Sequence, residues 1–481
     1  MNTPILNIID GTPIAPDGSE TWQIANPARL DLPSRHYALS SPEQVDLAVA
    51  AAHTAQKIWA ETSPMLRADL MMKAAALIAE RQEELALLIT REMGKPLVES
   101  RGEVGYAAKI LQFYAAEAQR PRGETLSSGR PRVHYYTVRE PIGVIGAITP
   151  WNFPLSIACW KIGPAIMTGN TVVWKPSPQH PLCSQALMQV FLDAGLPNGV
   201  VNMLHGAVDA GSALVAHPGV QGISFTGSSA TGEAIYQTTS ARLARAQCEM
   251  GGKNVLYVHE SGDLQTAVTL AIEGAFRSAG QKCTGTSWIL LDPAIADPFI
   301  EAFLARARAL DVGDPELAST FLGPVADVRQ FTKVCDYIEA GIEEGLALSC
   351  GGLPAAPEMG YFIAPTVFTD VPATSRLARE EIFGPVVAIT RVADLTDAID
   401  HINTGTYGLS NTIIATDLGA IQKFSRKVES GVINVNLPTA GVEMHAPFGG
   451  WKRSGLGAPE QGLKTLDFYT HWRSVAIQSP I

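Results

Sequence analysis

The sequence offers little from which to build a disulfide or metal framework. Its six cysteines, at 159, 183, 248, 283, 335 and 350, include no Cys-x-x-Cys pair, and no histidine stands at zinc-finger spacing from them. Neither a cross-linked scaffold nor a structural metal site is indicated, and a reducing, cytoplasmic home is expected. Positive charge is scarce: 36 Lys and Arg face 47 Asp and Glu, a formal net charge of −11, which argues against nucleic acid as the main partner. Long apolar runs are also missing. The stretch Ile142–Val173 is broken by Pro150, Asn152, Pro154, Lys161, Pro164 and Asn170, too often for a membrane span. Met1-Asn2-Thr3-Pro4-Ile5-Leu6 lacks the basic and apolar regions of a secretory signal. There are no tandem repeats, low-complexity tracts or Pro- or Ser-rich linkers. A chain of 481 residues, too long for one core, is therefore expected to fold as about two or three interleaved domains. With 46% apolar and 17% charged residues, it has the composition of a soluble globular protein.

What is present reads as alternating helix and strand. Apolar residues at Leu70, Ala74, Leu77, Ile78, Leu85, Leu88 and Ile89 predict one long amphipathic helix from about Arg67 to Met93, ended by Gly94 and Pro96. Short apolar runs bounded by glycine and proline predict buried parallel strands at Ile142–Ile148, Thr171–Trp174, Val200–Leu204, Gly222–Phe225 and Asn254–Val258, with helices such as Cys183–Ala194 between them. The alternation predicts a doubly wound parallel sheet that binds any nucleotide at the carboxyl ends of its strands. A second α/β half follows Glu249, and Arg132–Arg139 and Phe468–Ile477 read as extended segments at its margins. No Gly-x-Gly-x-x-Gly fingerprint follows an early strand. The nearest approach is Gly227-Ser228-Ser229-Ala230-Thr231-Gly232 after Phe225-Thr226, which reads either as a plain turn or as a helix start whose amides face a diphosphate.

The segment Gly280-Gln281-Lys282-Cys283-Thr284-Gly285 places one thiol among small residues beside a lysine, downstream of Glu249-Met250-Gly251-Gly252-Lys253. A nucleophilic cysteine needs a nearby positive charge, helix N-terminal amides or a base, and Gly280 and Gly285 would leave backbone room for substrate and cofactor to reach the sulfur. Taken alone, the same cysteine reads equally as an inert core thiol. Asn152 reads equally as a turn cap, Lys175 as a solvated strand-end lysine, Glu381 as a surface-turn acid and Glu249 as a paired structural acid.

Pro150-Trp151-Asn152-Phe153-Pro154, Lys175-Pro176-Ser177, Phe225-Thr226-Gly227-Ser228, Glu381-Ile382-Phe383-Gly384-Pro385 and Pro447-Phe448-Gly449-Gly450, in this order and spacing with Glu249 and Cys283, resemble the aldehyde dehydrogenase superfamily along nearly the whole chain. The resemblance implies an α/β fold of two doubly wound domains plus a small β oligomerisation domain. It places the cofactor-binding domain at 1–119 and 142–251, the catalytic domain at 252–450 and oligomerisation segments at 120–141 and 451–481, in a homodimer or homotetramer. The activity it implies is NAD- or NADP-dependent oxidation of a small-molecule aldehyde, with no metal. Cys283 attacks the carbonyl, Asn152 and the Cys283 N–H receive the oxyanion, and Glu249 activates the water that hydrolyses the thioester. Glu249 also favours a free acid product, since members that pass the acyl group to coenzyme A tend to lack it. Thr149, Trp151, Lys175, Gly206, Phe225, Gly227, Ser228, Glu381 and Phe383 fall at cofactor positions.

Members that prefer NAD often carry a glutamate three residues after the Lys175 position. Pro178 stands there and removes the repulsion of a 2′-phosphate, so NADP is expected to be accepted. Arg277, six residues before Cys283, matches an arginine that grips the distal carboxylate in dehydrogenases for ω-carboxylated semialdehydes; its other reading is a surface arginine paired with a neighbouring acid. Trp160 stands where several succinic semialdehyde enzymes have a second arginine, and the run Asn434–Gly450 resembles a branch acting on 2-oxoglutarate semialdehyde (2,5-dioxopentanoate). Two alternatives are carried forward. One is a broad-range aliphatic or aromatic aldehyde dehydrogenase with Phe153 and Trp160 lining an apolar tunnel, and the other is a catalytically silent relative acting as a binding protein.

Overall fold

The computed structural model describes residues 3–120, 123–354, 357, 359–479; the outermost residues of the expected segments 1–119 and 451–481, and residues 121 and 122 of the segment 120–141, lie outside this set. Two large sheets carry the fold. The first has eight strands, and its parallel centre runs Val201–Met203, Thr171–Lys175, Val144–Ile148, Gly222–Thr226, Arg245–Glu249. The strand first in the chain, Val144–Ile148, is thus flanked by the second and the fourth, so the winding direction reverses beside it. A doubly wound sheet opens a crevice at the carboxyl ends of the strands at such a point. Asn7–Ile9 and Gly455–Leu456 add antiparallel pairings at the two sides, so part of the segment 451–481 lies on this sheet.

The second sheet has seven strands in the order Ala347–Cys350, Thr366–Thr369, Val386–Arg391, Thr286–Leu291, Asn254–Val258, Ser410–Ile414, Val432–Val435. All neighbours are parallel except the first pair. Its central strands are buried along their length, as expected for runs covered by helices on both faces. A three-stranded antiparallel ribbon of Thr470–Gln478, Val133–Pro141 and Thr125–Leu126 stands apart, with Trp472 and Ile477 about half exposed.

The strand expectations hold to within a residue or two, and Asn254–Val258 holds at both ends. The long helix does not. It is two helices, Pro64–Glu80 and Gln82–Met93, broken at Arg81, whose ψ of 21° leaves the helical range. The Arg81 guanidinium bonds Asp193 at 2.5 Å, so a distant contact fixes a break that apolar spacing cannot reveal. Gly94 ends the second helix in the left-handed conformation, φ 84°, as a C-terminal glycine does. The expected extended segment Phe468–Ile477 begins instead with the last residues of a short helix, Leu466–Tyr469, before its strand. Among the described residues no helix is long and apolar enough to cross a membrane.

Candidate active site

The crevice at the reversal point is a groove of about 1170 Å³. Thr149 and Trp151 follow one of its strands, Gly227 and Ser228 follow the neighbouring one, and Lys175 and Phe225 also line it. Ser228 caps the helix Ser229–Ala241, whose N-terminal residues Ala230 and Thr231 face the groove. That gives a diphosphate the positive end of a helix. Lys175 Nζ reaches the Gly206 carbonyl at 3.0 Å, and burial lowers its pKa to about 8, so it stands as a desolvated donor at the groove wall. Gly206 serves here through its carbonyl and is not itself among the lining residues. Pro178 lines the groove, and its carbonyl accepts from the Tyr37 hydroxyl at 2.6 Å.

Glu381 and Phe383 are not among the lining residues; Phe383 adjoins the groove through Trp151 and Gln330, which do line it. A Cβ on Gly251 would lie 2.2 Å from Glu381 Oε2, so only glycine lets this carboxylate approach and accept the Gly252 N–H at 3.0 Å. Phe383 adopts φ 61° and sets its ring edge-on to Trp151, centroids 5.6 Å apart. A strained non-glycine residue at such a place marks a site the surroundings over-determine. Gln330 Nε2 donates to the Phe383 carbonyl at 2.7 Å and holds the loop. The helix-end residues, the buried lysine and the Trp151 ring that line this groove fit a nicotinamide dinucleotide.

Cys283 and Glu249 open together on a second cavity of about 410 Å³, walled in part by Tyr106, Phe153, Trp160 and Phe448. The nucleophile loop is fastened from below by Asn254, whose Nδ2 donates to the carbonyls of Cys283 at 2.8 Å and Gly285 at 2.9 Å. Thr439 Oγ1 donates to the Thr284 carbonyl at 2.7 Å. The room expected at Gly280 is taken by the protein itself: φ is 69° there and a Cβ would meet the Gly384 carbonyl at 2.2 Å. The glycine therefore joins the cysteine loop to the cofactor loop and does not admit substrate.

The lysine beside the thiol does not activate it either. Lys282 Nζ lies 3.9 Å from Glu99. Burial, with the Glu381 and Glu249 carboxylates adding to it, pushes Cys283 up to about 12, against which the Thr284 N–H helps only in part. Burial thus favours the protonated thiol. Glu249 is likewise driven well above the usual carboxylate range by burial and by Glu460, although it accepts backbone N–H bonds from Glu460 and Gly450. Glu460 is held by Lys161 at 2.7 Å, a pair almost fully removed from solvent.

Asn152 is buried and its Nδ2 donates to the Gln281 carbonyl at 3.0 Å, two residues before the cysteine. Its own carbonyl accepts from Lys95 Nζ at 2.9 Å, and Lys95 pairs with the buried Glu103. Glu103 in turn accepts the N–H groups of Leu155 and Ser156, at the start of the helix Ser156–Met167 that carries Trp160. Lys95 also stands 3.7 Å over the Phe153 ring. One buried ion pair thus sets Asn152, Phe153 and Trp160 together. Sequence reading missed Lys95, Glu103, Asn254 and Glu460; Lys161 had shown itself only as a charge interrupting an apolar run.

Arg277 is not brought to the cavity. Its Nε pairs with Glu273 at 2.9 Å, its guanidinium lies 4.0 Å over the Phe321 ring, and it is not among the residues lining the space above Cys283.

Comparison with known proteins agrees with this geometry. Residues 14–475 match the sequence profile of the aldehyde dehydrogenase family. The chain is 41% identical over 460 residues to the 2,5-dioxopentanoate dehydrogenase of Saccharolobus solfataricus, covering 95% of this chain and 96% of that one. It is 37% identical over 477 residues to the alpha-ketoglutaric semialdehyde dehydrogenase of Bacillus subtilis, covering 98% of both. Among solved structures, the betaine aldehyde dehydrogenase of Staphylococcus aureus in complex with NAD+ superposes with a TM-score of 0.95 at 30% identity, covering 99% of this chain and 95% of that one. Two doubly wound sheets, a nucleotide groove meeting a thiol and a carboxylate in one cavity, and these full-length likenesses place the chain in the aldehyde dehydrogenase family, as an NAD(P)-dependent enzyme.

Proposed function

We propose that this enzyme oxidises an ω-carboxylated semialdehyde, with 2-oxoglutarate semialdehyde the leading substrate, to the free acid through a thioester on Cys283. The observation that carries the reading is the opening of Cys283 and Glu249 on one cavity beside the nucleotide groove. Burial favours the protonated thiol, so its proton must leave before attack, and Glu249 in its ionised form is the acceptor within that cavity. The sulfur adds to the aldehyde carbon, and the Asn152 amide with the Cys283 N–H receives the oxyanion. When bound, the oxidised nucleotide supplies the acceptor for the hydride leaving that carbon, so that the acyl group remains on Cys283 as a thioester. Once it has passed the thiol's proton on to solvent, Glu249 takes a proton from water as the water attacks, a task suited to a carboxylate whose pKa burial has raised, and the carbon–sulfur bond breaks to release the free acid.

The dicarboxylic substrate rests on the names of the relatives and on Arg277, which would have to exchange Glu273 for the substrate carboxylate. The aromatic wall of Tyr106, Phe153, Trp160 and Phe448 favours a second reading, broad-range aliphatic or aromatic aldehydes. Pro178 supports use of NADP beside NAD, since its turn brings no carboxylate to repel a 2′-phosphate. Domains at 1–119 with 142–251, and at 252–450, divide cofactor binding from catalysis in this proposal. Segments 120–141 and 451–481 would join copies into a homodimer or homotetramer, which the half-exposed Trp472 and Ile477 of the ribbon support.

Nucleotide absorbance over a panel of dicarboxylic semialdehydes and alkyl and aryl aldehydes, run with both nucleotides and with Arg277→Ala, tests the proposal. The expected result is the highest kcat/KM for a dicarboxylic semialdehyde, lost on Arg277→Ala, with NADP used. Equal rates across the panel would favour the second reading, and a strong preference for NAD would overturn the nucleotide assignment.

A further inference from the structure

Three residues that line the cavity above Cys283 each carry a buried oxygen with no hydrogen-bond partner among the described residues: Glu249 Oε2, Thr226 Oγ1 and Gln461 Oε1. The first belongs to the base and the second to the last residue of a strand that ends at the groove. Gln461 is the unexplained one. It is buried, at 9% exposure, and its backbone sits at φ 63°, where a residue with a side chain is strained. Buried polar atoms are ordinarily satisfied, and strained, unsatisfied residues collect where function demands them.

Its placement is fixed by neighbours already described. Glu460, the preceding residue, lies beside Glu249, whose carboxyl pKa it raises, anchors its own carboxylate on Lys161 at 2.7 Å, and accepts the Phe448 N–H on its carbonyl at 2.7 Å. Gln461 therefore follows a pinned residue and lines the same cavity as Glu249 and the sulfur. A water attacking a thioester uses one of its two lone pairs for the new bond and has two hydrogens to be held. The lone pair must face the carbonyl carbon, so two acceptors are needed to hold the hydrogens, and one carboxylate oxygen supplies only one.

We propose that Gln461 is a positioning residue for deacylation: its side-chain oxygen accepts one hydrogen of the attacking water while Glu249 Oε2 accepts the other. This rests on the thioester reading above. The water oxygen bonds to the acyl carbon as its proton passes to Glu249. The carbon–sulfur bond then breaks, the sulfur regains a proton, and the free acid leaves with no oxidant consumed.

Gln461→Met keeps length and removes the acceptor. In stopped-flow with a saturating aldehyde, the first turnover of nucleotide reduction is expected to keep its rate, while the steady state falls by about tenfold, the weight of one hydrogen bond lost from a transition state. Intact-protein mass spectrometry should find the acyl adduct on Cys283 accumulating, and hydroxylamine, a nucleophile that needs no such orientation, should restore turnover. An unchanged steady state, or a first turnover slowed in step with it, overturns the proposal. If Gln461→Met does not fold, Gln461→Glu, which keeps an acceptor, must deacylate faster than Gln461→Leu; equal rates overturn it as well. A wild-type enzyme that forms no acyl adduct with any aldehyde refutes the thioester reading itself, whereas an adduct that Gln461→Met does not increase refutes only the role of Gln461.

Discussion

Gly280→Ala probes the joint between the cysteine loop and the cofactor loop. Two costs add at this position. The residue sits at φ 69°, which for alanine costs about 1–2 kcal/mol. The new Cβ would lie 2.2 Å from the Gly384 carbonyl oxygen, a backbone atom that cannot rotate away, and such overpacking costs about 1–3 kcal/mol. Gly384 has no retreat, because a Cβ built on it would already be 2.4 Å from Val334. The strain of roughly 2–5 kcal/mol should push the Glu381–Pro385 loop off the cysteine loop and disturb the edge-on contact of Phe383 with Trp151. Gly345→Ala is the control, since its φ of 73° is as demanding but nothing lies within 4 Å of the added Cβ. Thermal unfolding and nucleotide titration of both variants give the test. Gly280→Ala is expected to lower Tm more than Gly345→Ala and to raise KM for the nucleotide, whereas Gly345→Ala leaves KM unchanged. Equal Tm losses with wild-type KM in both would refute the reasoning.

Alkylation of Cys283 by iodoacetamide in the nucleotide-free enzyme, followed on its own peptide, should climb by about tenfold per pH unit through the mildly alkaline range, because the raised thiol is deprotonated only far above neutrality; a plateau at neutral pH would contradict the assignment. Cys283→Ala should abolish oxidation, and Glu249→Gln should slow steady-state turnover while the first turnover of nucleotide reduction partly survives, both read by stopped-flow. Nucleotide affinity should fall as pH rises through about 8, since Lys175 then loses the charge it offers an anionic ligand; a binding isotherm flat across that range would remove Lys175 from the site. Lys161→Met leaves the Glu460 carboxylate buried without its partner and should cost about 3–5 kcal/mol, with Lys161→Met/Glu460→Leu recovering much of it in thermal unfolding.

The strands that build the groove were legible because their apolar runs are short and end at glycine, proline or a polar residue, as at Thr171–Lys175 and Gly222–Thr226. Cys283, Glu249 and the groove residues were legible as an ordered set of motifs, each of which alone had an ordinary reading. What stayed hidden was set by contacts across long stretches of chain. The break at Arg81 depends on Asp193, and the seat of Asn152 depends on Lys95 and Glu103, whose pairing no local pattern announces. Lys282 misled for a related reason: adjacency to the cysteine suggested a charge pointed toward it, but Glu99 draws this cation elsewhere.

The short connection between the two sheets carries more than the chain. It leaves the strand that ends at the base Glu249, the N–H of its Gly252 holds the Glu381 carboxylate, and Asn254, where it enters the next strand, fastens the cysteine loop. A hinge placed at these residues would separate thiol, base and nucleotide support in a single movement. Whatever breathing lets nucleotide enter and leave must therefore pivot elsewhere, with this seam as its fixed axis, and a bulky substitution anywhere between Met250 and Lys253 should damage all three tasks at once.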